Sequence, residues 1–76
     1  MIEIYGTPTC TACKTAVKMC EANDIIHTYT DLSVNHKLTN DLSNRLGRPI
    51  TSVPVIFMEG EFLSGGLVEL KNKLFN

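Results

Sequence analysis

Short apolar runs of strand length alternate with helix-length segments along this chain, and that alternation limits it more than any other feature. Met1 to Tyr5 is a β-branched and aromatic run closed by Gly6-Thr7-Pro8, the pattern of a strand ending in a turn. From Ala12 to Ala22 there is neither Gly nor Pro, and Cys13, Ala16, Val17 and Cys20 recur at helical spacing, with Lys14, Lys18 and Glu21 off that face. Thr9 or Thr11 is the expected cap. Asn23-Asp24 ends the helix before a second strand, Ile25 to Thr30.

A second helix is predicted over His36 to Leu46, capped by Ser33 or Asn35, with Leu38, Leu42 and Leu46 on one stripe and Gly47 at its C-terminal end. Val53 to Met58 reads as a buried strand whose pairing is interrupted at Pro54, which has no N–H to give. Glu59-Gly60 is a hairpin turn, Glu61 to Leu63 returns antiparallel, and Gly65-Gly66 leads into a last helix with Leu67, Leu70 and Leu74 on one side. The order is βαβαββα. It implies a parallel pair joined by a crossover helix, with the closing hairpin adding an antiparallel edge.

At 76 residues and 43% hydrophobic content there is material for one core, so the chain is expected to be a single domain over 1–76. Seven Lys and Arg are scattered singly among eight acids, for a formal charge of −1, which offers no basic footprint for nucleic acid or an anionic membrane. No apolar stretch approaches the ~20 residues of a membrane span, and the start of the chain does not read as a secretory leader. Three cysteines make an odd count that suits reactive thiols in a reducing compartment better than a disulfide framework. A cytoplasmic monomer is expected.

Cys10-Thr11-Ala12-Cys13 stands where the first strand-turn becomes a helix. That places Cys10 at the helix N-terminus, where unpaired backbone N–H groups and the helix dipole favour a thiolate. One helical turn brings the Cys13 sulfur close enough to close a small disulfide. The pair therefore points to thiol–disulfide exchange: Cys10 attacks a substrate disulfide and Cys13 resolves the mixed disulfide. Half of a zinc site and a pair of small apolar residues are the other readings of the string. For zinc, only Cys20, His27 and His36 are at hand, and Cys20 lies about 10 Å along the helix from Cys13. No metal is assigned. Cys20 reads as a buried small hydrophobe, His27 as an exposed strand residue, and Tyr5 and Tyr29 as packing groups.

Ile4-Tyr5-Gly6, the CxxC, a helix carrying Ala16, the run Ser52-Val53-Pro54-Val55-Ile56-Phe57 and a glycine pair before the last helix together resemble a glutaredoxin or the related NrdH-type redoxins. The resemblance implies an α/β, minimal thioredoxin-like fold, a four-stranded mixed sheet flanked by helices. It further implies Cys10 and Cys13 as the catalytic pair, a cis Val53–Pro54 bond facing them, and a Val53 backbone that pairs with bound substrate. Its glutathione-binding positions fall on Thr11, Ala12, Arg48, Val53, Pro54, Gly65, Gly66 and Glu69. Glutathione is then a co-substrate, no cofactor is bound, and the partners are disulfide-containing proteins, ribonucleotide reductase among them.

Several positions depart from the common glutaredoxin pattern. Thr11-Ala12 replaces the usual Pro-Tyr, Thr7 stands where many members carry a lysine, and Arg48 lies two residues further from Val53-Pro54 than usual. Without a gap, Leu67-Val68 falls on the acids that hold the glutathione ammonium; a one-residue shift gives Val68-Glu69, leaving Glu69 alone to serve. Ser64-Gly65 followed by Glu69 also matches the NrdH-type spacing. A redoxin fed by thioredoxin reductase, an iron–sulfur carrier bridging two chains through Cys10, and a domain whose disulfide merely staples the helix are the alternatives to a glutathione-fed enzyme.

Overall fold

Alternation of burial along Ile2–Gly6 defines β1: Ile2 and Ile4 are buried toward one face of the sheet, while Glu3 and Tyr5 turn to the other. The computed structural model describes residues 1–75, so the Asn76 end of the expected single domain lies outside the described residues. After β1 come α1 (Thr11–Ala22), β2 (His27–Asp31), α2 (His36–Leu46), β3 (Val55–Met58), β4 (Glu61–Phe62) and α3 (Gly66–Phe75), the expected βαβαββα order. The sheet runs β2-β1-β3-β4. β1 and β2 are parallel, with Ile4 opposite Tyr29, and the β1–β3 and β3–β4 pairs are antiparallel, with Ile4 opposite Ile56 and Phe57 opposite Phe62.

The sheet separates two apolar clusters. On one face Ile2, Ile4 and Ile56 pack against Ala16 and Cys20 of α1, Leu63, and Leu70 of α3. On the other, Leu42 of α2 packs with Leu32, Val55 and Phe57, and Leu38 and Leu46 complete the expected leucine stripe from half-buried positions. α1 and α3 are thus neighbours, and the CxxC, which opens α1, sits above the first of the two clusters.

Helix α2 takes the predicted bounds because both ends are punctuated: Asn35 Oδ1 accepts the Lys37 N–H at 2.9 Å, and Gly47, at φ +76°, occupies the left-handed closing position. Elsewhere the ends move. The cap of α1 is neither Thr9 nor Thr11 but Cys10, whose backbone is extended and whose Sγ accepts the Cys13 N–H, so the helix starts at Thr11. β2 begins two residues late because the Ile25 N–H is taken by the Cys20 carbonyl at 2.9 Å as α1 closes. β3 begins after Pro54, which cannot donate, and the Val53–Pro54 bond is cis. β4 stops at Phe62, although the Leu63 N–H still reaches the Ile56 carbonyl at 2.8 Å. In the hairpin between them, Glu59 and Gly60 both take positive φ, the backbone of a two-residue turn matched to strand twist.

Candidate redox site

Thr7, Pro8 and Thr9 carry the chain from β1 into α1, and the Cys10 N–H is anchored on the Thr7 carbonyl at 3.2 Å. Cys10 and Cys13 are joined as a disulfide with their Cα atoms 5.3 Å apart, the short loop that a single helical turn permits. The two sulfurs differ in environment. Cys10 is half-buried at the helix tip, whereas Cys13 is fully buried. Across 3.1 Å the Cys13 N–H donates to Cys10 Sγ, so one of the free donors of the first helical turn already points at that sulfur. Thr11, between them, is exposed and Ala12 half-buried.

Gly6 explains how Cys13 fits. A Cβ at Gly6 would fall on Cys13 Sγ and lie 2.9 Å from Cys13 Cβ and 3.6 Å from the Tyr29 ring. The parallel register that sets Ile4 opposite Tyr29 brings that ring over the end of β1. Tyr29 is only in part the packing group expected: it is 41% exposed, because β2 is an edge strand, and it forms one wall of a groove of about 510 Å³ with Thr7, Lys14, Val17 and Lys18. Sequence reasoning missed this groove. Its sequence signal was the period-two placement of Tyr29 beside Ile4 and Gly6, which becomes legible once the strand register is known.

Cys20 stands apart from the pair, fully buried in the core against the sheet. Burial, and secondarily the Glu21 charge, pushes its thiol pKa up. His27 is half-buried rather than exposed, its Nδ1 2.8 Å from the Ile25 carbonyl. Tyr5 is packed as expected, edge-on to Phe57 with ring centroids 6.0 Å apart.

The residues suggested for ligand binding fall into two groups besides the cysteines. Arg48, Pro54 and Ser64 share a polar cleft of about 320 Å³ with Ile50, Ser52 and Phe62. The Arg48 guanidinium stands 5.1 Å over the Phe62 ring, and the Arg48 backbone is tied to α2, its N–H to the Ser43 carbonyl and its carbonyl to the Ser43 hydroxyl. Val53 is half-buried and packs into the second cluster. Gly65, Gly66 and Glu69 form the start of α3, where Gly66 approaches the Pro54 carbonyl and Glu69 Oε1 accepts the Gly65 N–H at 2.8 Å. Among the described residues, no helix is long and apolar enough to cross a membrane.

Comparison with known proteins gives a consistent answer. The glutaredoxin family profile matches residues 2–63. Glutaredoxin of Haemophilus influenzae is 29% identical over 69 residues, covering 84% of this chain and 79% of that protein, and glutaredoxin of Vibrio cholerae is 28% identical with the same coverage. Among solved structures, glutaredoxin 1 of Francisella tularensis, crystallised with cacodylate, superposes with a TM-score of 0.69 at 29% identity, covering 96% of this chain and 90% of that one. The thioredoxin-like protein BC3987 is similar in fold, with a TM-score of 0.78 at 23% identity and coverage of 99% and 100%. With the profile spanning both cysteines, the Val53-Pro54 turn and every strand of the sheet, the chain belongs to the glutaredoxin family of thiol–disulfide oxidoreductases.

Proposed function

We propose that this protein is a glutathione-fed dithiol oxidoreductase in which Cys10 is the attacking thiol and Cys13 the resolving one. The observation that carries the assignment is the Cys13 N–H directed at Cys10 Sγ, with Cys10 the more accessible sulfur. A donor at the helix N-terminus stabilises a thiolate there, and accessibility lets it reach a substrate.

In the cycle, the Cys10 thiolate attacks one sulfur of a substrate disulfide, forming a mixed disulfide and releasing one substrate thiolate. Cys13, deprotonated, then attacks Cys10 Sγ, releasing the second substrate thiol and leaving the Cys10–Cys13 disulfide. Two glutathione molecules restore the dithiol by the same chemistry and leave as glutathione disulfide. Substrates are protein disulfides and glutathione mixed disulfides, with ribonucleotide reductase a candidate partner. No bound cofactor takes part, and the protein works as a monomer in a reducing cytoplasm.

Val53 and Pro54 supply the wall beside which the substrate docks, Arg48 supplies the cation for a glutathione carboxylate, and Thr11, Ala12, Gly65 and Gly66 supply small contacts. With no aromatic residue between the cysteines and no lysine at Thr7, the tripeptide has fewer holds than in a common glutaredoxin. Each missing charge-assisted contact costs roughly 1 kcal/mol or more, so saturation by glutathione is expected to be weak. Steady-state turnover against glutathione concentration, in parallel with thioredoxin reductase as electron source, tests the reading. Turnover with glutathione supports it; none, beside rapid turnover with thioredoxin reductase, replaces it with the NrdH-type reading that Ser64-Gly65 and Glu69 suggest.

A further inference from the structure

We infer that Glu69 is a positioning residue, whose carboxylate holds the Ser64–Gly66 turn against Pro54 and does not bind the ammonium group of a glutathione-type thiol. The inference deepens the glutathione-fed reading and rests on it for one of its two assays.

Glu69 is the one acid in the stretch from Leu63 to Asn72, so a cationic group arriving at the start of α3 has no other carboxylate on that segment. One oxygen of that carboxylate is engaged. Its Oε1 accepts the Gly65 N–H at 2.8 Å, one of the backbone donors that a helix start leaves without an intrahelical partner. The side chain folds so closely over Gly65 that a Cβ there would lie 2.9 Å from Glu69 Cβ and 3.2 Å from Oε1. The absence of a side chain at position 65 is therefore explained by Glu69. The next residue carries the effect to the proposed docking wall: the Gly66 N–H donates to the Leu63 carbonyl at 3.0 Å, and an ideal Cβ on Gly66 would meet the Pro54 carbonyl at 3.7 Å. Glu69, Gly65, Gly66 and Pro54 form one contiguous path from α3 to the proposed docking wall. Leu67 and Val68, the other positions that alignment could give to an ammonium ligand, are uncharged, and Val68 is 67% exposed.

Carboxylate geometry separates the two roles. Acceptance of a backbone N–H needs an oxygen at that place and is met by an amide, whereas binding an ammonium needs the negative charge. Glu69→Gln keeps the first and removes the second; Glu69→Ala removes both.

The oxidised wild-type, Glu69→Gln and Glu69→Ala proteins are to be reduced with glutathione and with N-acetylglutathione, which keeps the thiol and both carboxylates but has no ammonium. A positioning role predicts similar KM values for the two thiols in the wild type. It also predicts a common rise of about fivefold in Glu69→Ala, and values within about twofold of wild type in Glu69→Gln. A rise for glutathione alone in Glu69→Gln, with N-acetylglutathione unaffected, overturns the inference. A second assay uses no glutathione: turnover of a protein disulfide with dithiothreitol as reductant, together with hydrogen exchange at the Gly65 amide. Slower turnover and faster Gly65 exchange in Glu69→Ala, both restored in Glu69→Gln, support the role; equal turnover in all three proteins overturns it. Should glutathione fail to reduce even the wild type, the glutathione-fed reading falls while this second assay still decides the role of Glu69.

Discussion

The backbone N–H of Cys13 donates to the sulfur of Cys10 across 3.1 Å, while the sulfur of Cys13 itself is shut in beneath Gly6. One residue thus stabilises its partner's charge and is denied solvent in the same half-turn of helix. Three thiols of the reduced protein should consequently separate under alkylation. Cys10 is expected to react first, with an apparent pKa below the ~8.5 of a free thiol. Cys13 should follow slowly, and Cys20, fully buried with its pKa raised by that burial, should label only on unfolding. Peptide mass spectrometry after timed iodoacetamide labelling across pH reads all three. An ordinary pKa at Cys10 would remove the helix-start contribution.

The order of attack can be read separately from the acidity. Cys10→Ser should abolish reduction of a disulfide substrate, while Cys13→Ser should let a mixed disulfide accumulate on Cys10, because the resolving thiol is gone. Non-reducing gels and mass spectrometry locate the adduct. An adduct on Cys13 in the Cys10→Ser protein would reverse the assignment.

Periodicity made the element order legible, and it did so most sharply where local chemistry punctuates the chain. Asn35 and Gly47 bracket α2 at the expected residues. Where tertiary contacts decide, the sequence was mute or misleading. Cap preferences favour the hydroxyls of Thr9 and Thr11, yet the bonded pair turns the Cys10 sulfur inward and makes it the cap. The CxxC and Val53-Pro54 could be found as strings, but the pairing of Glu69 with Gly65 and the fit of Cys13 under Gly6 depend on side-chain directions that no spacing encodes. The same holds for Arg45 and Glu3, far apart along the chain and joined only when α2 lies across the sheet.

That last pair yields a pH prediction. Arg45 Nη1 and Nη2 donate to the two oxygens of Glu3 at 2.9 and 3.1 Å, and the guanidinium stands 3.8 Å over the Phe57 ring. Hydrogen bonding from Arg45, ahead of a partly opposing desolvation, lowers the Glu3 pKa. A carboxyl lowered in the folded state adds stability above its unfolded pKa of ~4.3, and that contribution disappears as pH falls through the folded value. With side chains 38% and 22% exposed, solvent screens the pair, and Glu3→Gln should cost about 0.5–1 kcal/mol at neutral pH. Urea unfolding at pH 7 and in the acid range below the Glu3 transition should show that cost shrinking toward zero. A cost independent of pH would mean that shape, not charge, holds Arg45.

Gly6→Ala tests how tightly the buried cysteine is confined. Gly6 has an ordinary backbone for an L-residue, so the substitution brings a purely steric penalty: the new methyl falls on Cys13 Sγ, 2.9 Å from its Cβ and 3.6 Å from the Tyr29 ring. Overpacking of this kind costs about 1–3 kcal/mol, and each kcal/mol lowers Tm by roughly 4–8 °C in a domain of this size. In the dithiol form the Cys13 sulfur can rotate away from the methyl, leaving only the Cβ contact, whereas in the disulfide that sulfur is held beside Cys10. The loss should therefore be larger for the oxidised protein than for the reduced one. Gly47→Ala is the control, since nothing lies within 4 Å of a Cβ there and its cost comes from the positive φ of +76° alone, whatever the state of the cysteines. Calorimetric unfolding of both variants, oxidised and reduced, measures the four shifts. Equal losses for Gly6→Ala in the two states would show that Cys13 is confined by the sheet and by Tyr29, and not by its bond to Cys10.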